Sequence, residues 1–124
     1  MYKSNVSSIK RAQKESLLLR EISELFLKTS FDDDRIKDLV VNRVKLSTDK
    51  SHCTVYFYTA KGKDFFNKNI LDILKCYKPS LRKAVAQKIS SRYVPDLIFK
   101  YDDEFEKQQK VNDLIDKLKN EGKL

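Results

Sequence analysis

The spacing of apolar positions in this chain changes several times, and each change marks an element. From Val6 to Lys28, Ile9, Ala12, Ser16, Leu19, Ile22 and Phe26 trace one helical stripe, which Leu18 and Leu25 widen. Arg11, Lys14, Glu15, Glu21 and Glu24 fall outside it. The spacing predicts a long amphipathic helix, with Ser7 or Ser8 able to cap its start. Phe31 and the run Asp32-Asp33-Asp34 then read as a loop. Leu39–Ser47 and Cys53–Ala60 are rich in β-branched and aromatic residues, which suits strands. In the first, Val44 and Leu46 alternate with Arg43 and Lys45; the second is apolar enough for burial on both faces. Thr48-Asp49-Lys50-Ser51 between them has turn chemistry, so the pair reads as a hairpin.

After Gly62, Phe65, Phe66, Asn69, Ile70, Ile73 and Leu74 form an amphipathic helix ending near Cys76. Pro79 is expected to break that helix and open another, because proline lacks an N–H and suits a first turn. The second helix carries Leu81, Val85 and Ile89 on one side, with Arg82, Lys83, Gln87 and Ser90 on the other. Pro95 stops it, Leu97–Tyr101 reads as a third strand, and a polar helix built on Phe105, Val111, Leu114, Ile115 and Leu118 closes the chain over 104–124. The order is α-β-β-α-kink-α-β plus a trailing helix. A β-α-α-β section must be a crossover joining parallel strands, which places the helices on one face of a small α+β sheet. That is the topology of a type II K-homology (KH) domain, here expected to span 1–124 as one domain.

Composition narrows the class. At 124 residues and 14.6 kDa there is room for one core, and 40% hydrophobic with 35% charged residues describes a chain that folds in water. No apolar run approaches the roughly 20 residues that span a bilayer. No apolar signal-peptide core follows Met1-Tyr2-Lys3-Ser4-Asn5, so a cytoplasmic protein without membrane contact is expected. Cys53 and Cys76 give neither a disulfide framework nor a zinc site, and no cofactor is expected. His52 and Cys53 are neighbours on a strand and point to opposite faces, so they make no nucleophile–base pair. No Gly-rich nucleotide loop is present, and the acids at Asp32–Asp34 and Asp102–Glu106 read as loop and cap groups. Enzymatic activity is not expected.

Charge adds the positive clue. There are 26 Lys+Arg against 18 Asp+Glu, a net +8 with a pI near 9.4. Nine bases against two acids fall between Lys61 and Val94, so most of the excess sits there. Such a cluster is the footprint of a phosphate-rich partner, with a solvated lysine-rich face as the plainer alternative. Lys75, Lys78, Arg82 and Lys83 gather around Pro79, where an open helix start would add N–H groups and a positive dipole end. Lys10, Arg11 and Lys14 precede the first acid and extend the basic surface along the first helix. Helical phase turns Lys88 and Arg92 towards the apolar stripe, which favours a structural role for Arg92. Tyr56 and Tyr58 share one strand face and Phe57 takes the other; most of these aromatics read as core, with a tyrosine exposed on the open sheet face, able to stack a base, as the alternative.

The stretch Arg92-Tyr93-Val94-Pro95-Asp96-Leu97-Ile98-Phe99-Lys100-Tyr101-Asp102-Asp103 resembles the signature of the bacterial ribosome-binding factor A family. Val44–Tyr56 is similar to that family's first hairpin, and Val111-Asn112-Asp113-Leu114-Ile115 to its closing element. The resemblance implies a monomer that binds the small (30S) ribosomal subunit and its 16S rRNA precursor late in maturation, without catalytic turnover. It marks Arg92, Val94, Pro95, Tyr101 and Asp102 as structural signature positions. The chain departs from the pattern at Lys75-Cys76-Tyr77-Lys78-Pro79-Ser80. There it has neither the Gly-x-x-Gly with which KH domains grip single strands nor the family's Ala-x-Gly kink. A generic KH-like RNA module and a protein-interaction module using the first or last helix are the other two readings.

Overall fold

A 30-residue helix, Tyr2–Phe31 (α1), opens the structure, a computed structural model that describes residues 2–89 and 94–122. Leu18, Ile22 and Phe26 of α1 are buried, and Leu19 and Leu25 pack against them. The predicted stripe is therefore core only in its C-terminal half: Ile9 is 58% exposed, and Ala12 and Ser16 also face water. Length explains this. Thirty helical residues span about 45 Å, whereas the strand that α1 packs on covers only about 23 Å.

That strand, Val40–Leu46 (β1), pairs antiparallel with His52–Tyr58 (β2). The linking turn is built as its composition predicts. The Asp49 carboxylate accepts from the Ser51 N–H at 3.0 Å and from the Ser47 and Ser51 hydroxyls at 2.7 Å, and Lys50 takes a left-handed φ of 63°. β2 pairs parallel with Asp96–Tyr101 (β3), so the sheet runs β1-β2-β3 and the crossover is the predicted one. A bulge lies between Val41 and Arg43. Val41 is thereby opposite Phe57 on the inner face, while Arg43 is opposite Tyr56 on the outer one. On the outermost strand, the Glu15 carboxylate of α1 accepts the Leu46 N–H at 3.1 Å.

The crossover is one unbroken helical run. It starts as Lys63–Phe65 (α2), widens into a π turn at Phe66–Ile70, and continues as Leu71–Lys88 (α3). Pro79 lies inside α3, so the expected break and second helix start are not there. Leu74, Leu81 and Val85 are buried on both sides of it in sequence, and this shared packing holds the run together. Pro79 itself is exposed, as is Lys75, whose carbonyl loses its hydrogen-bond donor, so the orphaned group lies on the solvent side. An interior proline still costs about 3 kcal/mol relative to alanine. Pro79→Ala should therefore raise the unfolding free energy by about 1–3 kcal/mol, read as a higher urea midpoint at unchanged slope. A lowered midpoint would show that α3 needs the proline's geometry.

Phe57, fully buried, sits at the centre of the core with Phe26, Phe66 and Phe99 at ring-centroid distances of 5.3, 6.0 and 5.6 Å. A second tie holds the loop after α1 to the middle of α3. Asp33 accepts from Arg35 Nε at 2.9 Å, Arg35 Nη2 at 2.7 Å and the Tyr77 hydroxyl at 2.5 Å. The hydrogen bond from Arg35, then that from Tyr77, holds this carboxyl far below the usual carboxylate range. The last helix, Asp103–Asn120 (α4), buries none of its residues and leaves Val111, Leu114 and Ile115 exposed.

Candidate nucleic-acid interface

Four predicted bases lie on α3. Lys75, Lys78 and Arg82 fall at i, i+3 and i+7 and share one side, while Lys83 lies about a quarter turn round. Lys75, Arg82 and Lys83 are exposed; Lys78 is half-buried. Its Nζ lies 3.2 Å from Asp96 Oδ1, and Arg82 Nη1 approaches the same oxygen at 3.9 Å. The hydrogen bond from Lys78 keeps the Asp96 carboxyl below its ordinary pKa, against the opposing effect of burial. Lys75 and Lys78, with Leu71, Leu97, Ile98 and Phe99, line a groove of about 170 Å³ between α3 and β3. Because α3 runs through Pro79, these bases stand on the flank of a helix, and no helix start offers N–H groups among them. What they present to an anion is side-chain charge.

The bases on α1 belong elsewhere. Arg11 lines a cleft of about 590 Å³ with Glu15, Arg43, Lys45 and Thr48, between α1 and β1. Lys10 is exposed one residue before it, and Lys14 is half-buried one turn on. The cleft and the α3 groove share no lining residue, so the seven predicted bases divide into two groups.

Of the five signature positions, Val94, Pro95, Tyr101 and Asp102 are described. Pro95 is fully buried, Val94 is half-buried, and Tyr101 donates its hydroxyl to the Thr59 carbonyl at 3.2 Å. Arg92 lies outside the described residues. Asp102, 1% exposed, is a hub: it accepts from Asn42 Nδ2 at 2.8 Å, from Arg43 Nε at 2.9 Å and Nη2 at 3.2 Å, and from the Phe105 N–H at 3.2 Å. The last contact caps α4, as its place before that helix predicts. Burial alone would push this carboxyl up, but the hydrogen bonds from Arg43, Asn42 and Phe105 outweigh it and hold it low. Arg43 also lies over the Tyr56 ring, 3.9 Å from its centroid. Asn42 and Arg43 were not singled out by sequence; the only signal was the alternation in β1, which breaks at Asn42.

Of the remaining groups, His52 and Cys53 fall as expected and Lys88 does not. Cys53 is buried and His52 exposed on the opposite face of β2, with burial pushing the Cys53 thiol up to about 11. Lys88, expected along the apolar stripe, is exposed in the last turn of α3. No described helix is long and apolar enough to cross a membrane.

Comparison with known proteins adds to this geometry. The sequence profile described as ribosome-binding factor A matches residues 10–115. Ribosome-binding factor A of Prochlorococcus marinus (strain MIT 9301) is 36% identical over 113 residues, covering 90% of this chain and 85% of that protein. The Geobacter metallireducens protein of the same name is 32% identical over 112 residues, covering 90% and 94%. The crystal structure of ribosome-binding factor A from Thermus thermophilus superposes with a TM-score of 0.62 at 27% identity, over 73% of this chain and 93% of that one. A homology model of the Thermus thermophilus factor, fitted into a cryo-electron-microscopy map of its 30S complex, gives 0.54 at 28% identity over 68% and 87%. With a profile match over most of its length and relatives above 30% identity, this chain is a member of the ribosome-binding factor A family.

Proposed function

We propose that this protein binds the small (30S) ribosomal subunit through rRNA and assists late maturation of the 16S rRNA precursor, acting in the cytoplasm as a single-domain monomer without turnover. The observation that carries this reading is the family match over residues 10–115, whose Thermus relative was fitted into a map of a 30S complex. The basic flank of α3 supports it. Lys75, Arg82 and Lys83 are exposed cations on one rigid element, and Lys78 stands beside them on Asp96. Lysine supplies point charge to phosphates, while Arg82 can also fork onto one. Three to five neutralised phosphates would give a log–log salt slope of about −2 to −4.

The test is sedimentation of the protein with mature and precursor-rich small subunits across a salt series. Wild type should co-sediment in a salt-sensitive way, and Lys78→Ala/Arg82→Ala/Lys83→Ala should weaken binding by about tenfold or more while lowering the slope by about 2. Equal binding to large subunits would reduce the reading to charge alone. Absence of binding to any subunit would overturn it.

A further inference from the structure

The outer face of the sheet carries chemistry beyond the seven predicted bases, and two of its residues, Arg43 and Lys45, also border the α1–β1 cleft. Its residues stand in rows across the strands. Arg43, Tyr56 and Lys100 are paired neighbours, and Lys45, Thr54 and Ile98 form the next row. Lys45 and Lys100 are exposed and Tyr56 is half-buried, whereas Cys53, Val55 and Phe57, on the other face of β2, are completely buried. Among the described residues no acid pairs with Lys45 or Lys100. The face is thus an aromatic ring on the central strand with unneutralised cations to either side.

Arg43 completes the arrangement. Its guanidinium lies on the Tyr56 ring, and its side chain is 38% exposed while held by the buried Asp102 and, at 3.4 Å, by the exposed Glu104. A guanidinium plane stacked on an aromatic ring offers its outer surface to a further flat group, and Asp102 fixes its orientation in advance. Unpaired nucleobases are flat, and their backbone is anionic; this pairing of stacking with flanking charge is how β-sheet surfaces take single strands. A duplex would use only the charges. An acidic peptide would leave the stack unused.

We propose that the outer sheet face is a single-stranded RNA platform, on which a base stacks on the Arg43–Tyr56 pair and Lys45 and Lys100 hold the flanking phosphates. The platform deepens the proposed function and rests on it for its setting, since the strand it takes would be an unpaired stretch of the maturing rRNA. It includes none of the α3 bases, and Ile98 marks where it meets the α3–β3 groove.

The test measures binding of the full chain to fluorescently labelled oligo(U) and oligo(A), and to an RNA duplex of equal length, across a salt series. Subunit sedimentation is run in parallel, and circular dichroism confirms that each variant is folded. Wild type should prefer the single strands. Tyr56→Leu should weaken that binding about 5- to 150-fold, the range for one stacked base, while Tyr56→Phe stays near wild type. Lys45→Ala with Lys100→Ala should reduce the single-strand salt slope by about 1.4. Equal binding to duplex and single strand, or Tyr56→Leu without effect on oligonucleotides, would overturn the platform. If Tyr56→Leu lost subunit binding but kept oligonucleotide binding, the face would be meeting protein, which also overturns it. Wild type that binds oligonucleotides but no subunit would leave the platform standing and remove the maturation role.

Discussion

Phe57→Ala is expected to lower the unfolding free energy by about 3–5 kcal/mol, the range for emptying a buried phenylalanine site. The site cannot collapse easily. Phe57 is fully buried on the central strand, and three aromatic rings from α1, the π turn and β3 press on it from separate elements. Removing the ring strips each of its contact partner at once. Against a typical total of about 5–15 kcal/mol, the variant should be mostly unfolded at moderate urea and should lose cooperativity on heating. Phe57→Leu keeps most of the volume and should cost under half as much. Urea titrations of both variants check this. A loss under about 1 kcal/mol for alanine would mean that the core does not close on this residue.

The second large effect is at Asp102. Asp102→Ala leaves Asn42 without its acceptor and Arg43 with only the exposed Glu104 carboxylate at 3.4 Å, and it removes the cap of α4. Breaking a buried pair costs about 3–5 kcal/mol, but Arg43 is 38% exposed and can be partly rehydrated, so about 2–4 kcal/mol is expected. Far-UV circular dichroism should show α4 shortened at its start as well. The pH dependence has a definite sign. The folded-state pKa of this carboxyl lies below its unfolded value of 3.8, so its stabilising contribution is complete above that value and fades as pH falls through the folded one. Asp102→Asn should therefore flatten the stability loss below about pH 4, although it is less stable than wild type at about pH 7. An acid limb unchanged by Asp102→Asn would count against the hub.

How much of this could be read from sequence depended on whether the deciding contact was local. The hairpin was legible because β-branched runs and an Asp-containing turn specify it within a few residues. The parallel crossover followed from element order. Burial along α1 was not legible, because where it stops depends on the length of the strand beneath, and Ile9 looks like Ile22 until that strand is placed. Pro79 obeys a local rule that Leu74, Leu81 and Val85 override through shared packing, and no local signal shows that its position faces water. The Asp102 hub joins residues about sixty positions apart, so neither end announces the other. At the candidate interface, the bases are visible in the sequence as a cluster, but their division into an α3 flank and an α1–β1 cleft is a property of the fold. For Tyr56 the sequence allows core or open face alike, and the bulge at Asn42 is what sets Arg43 on its ring.

The hydrogen bond from the Leu46 N–H to Glu15 has a consequence for how the protein behaves in company. β1 is an open edge, and the free N–H groups of such an edge are a template for strand addition from another chain. Here α1 lies along it, a carboxylate occupies one of the donors, and the bulge at Asn42 interrupts the pairing rhythm further along. A visiting strand would have to displace Glu15 and could not continue past the bulge. The sheet therefore stops at three strands on this side, which guards this edge, one of the sheet's two, against pairing with another chain even where the local concentration is high.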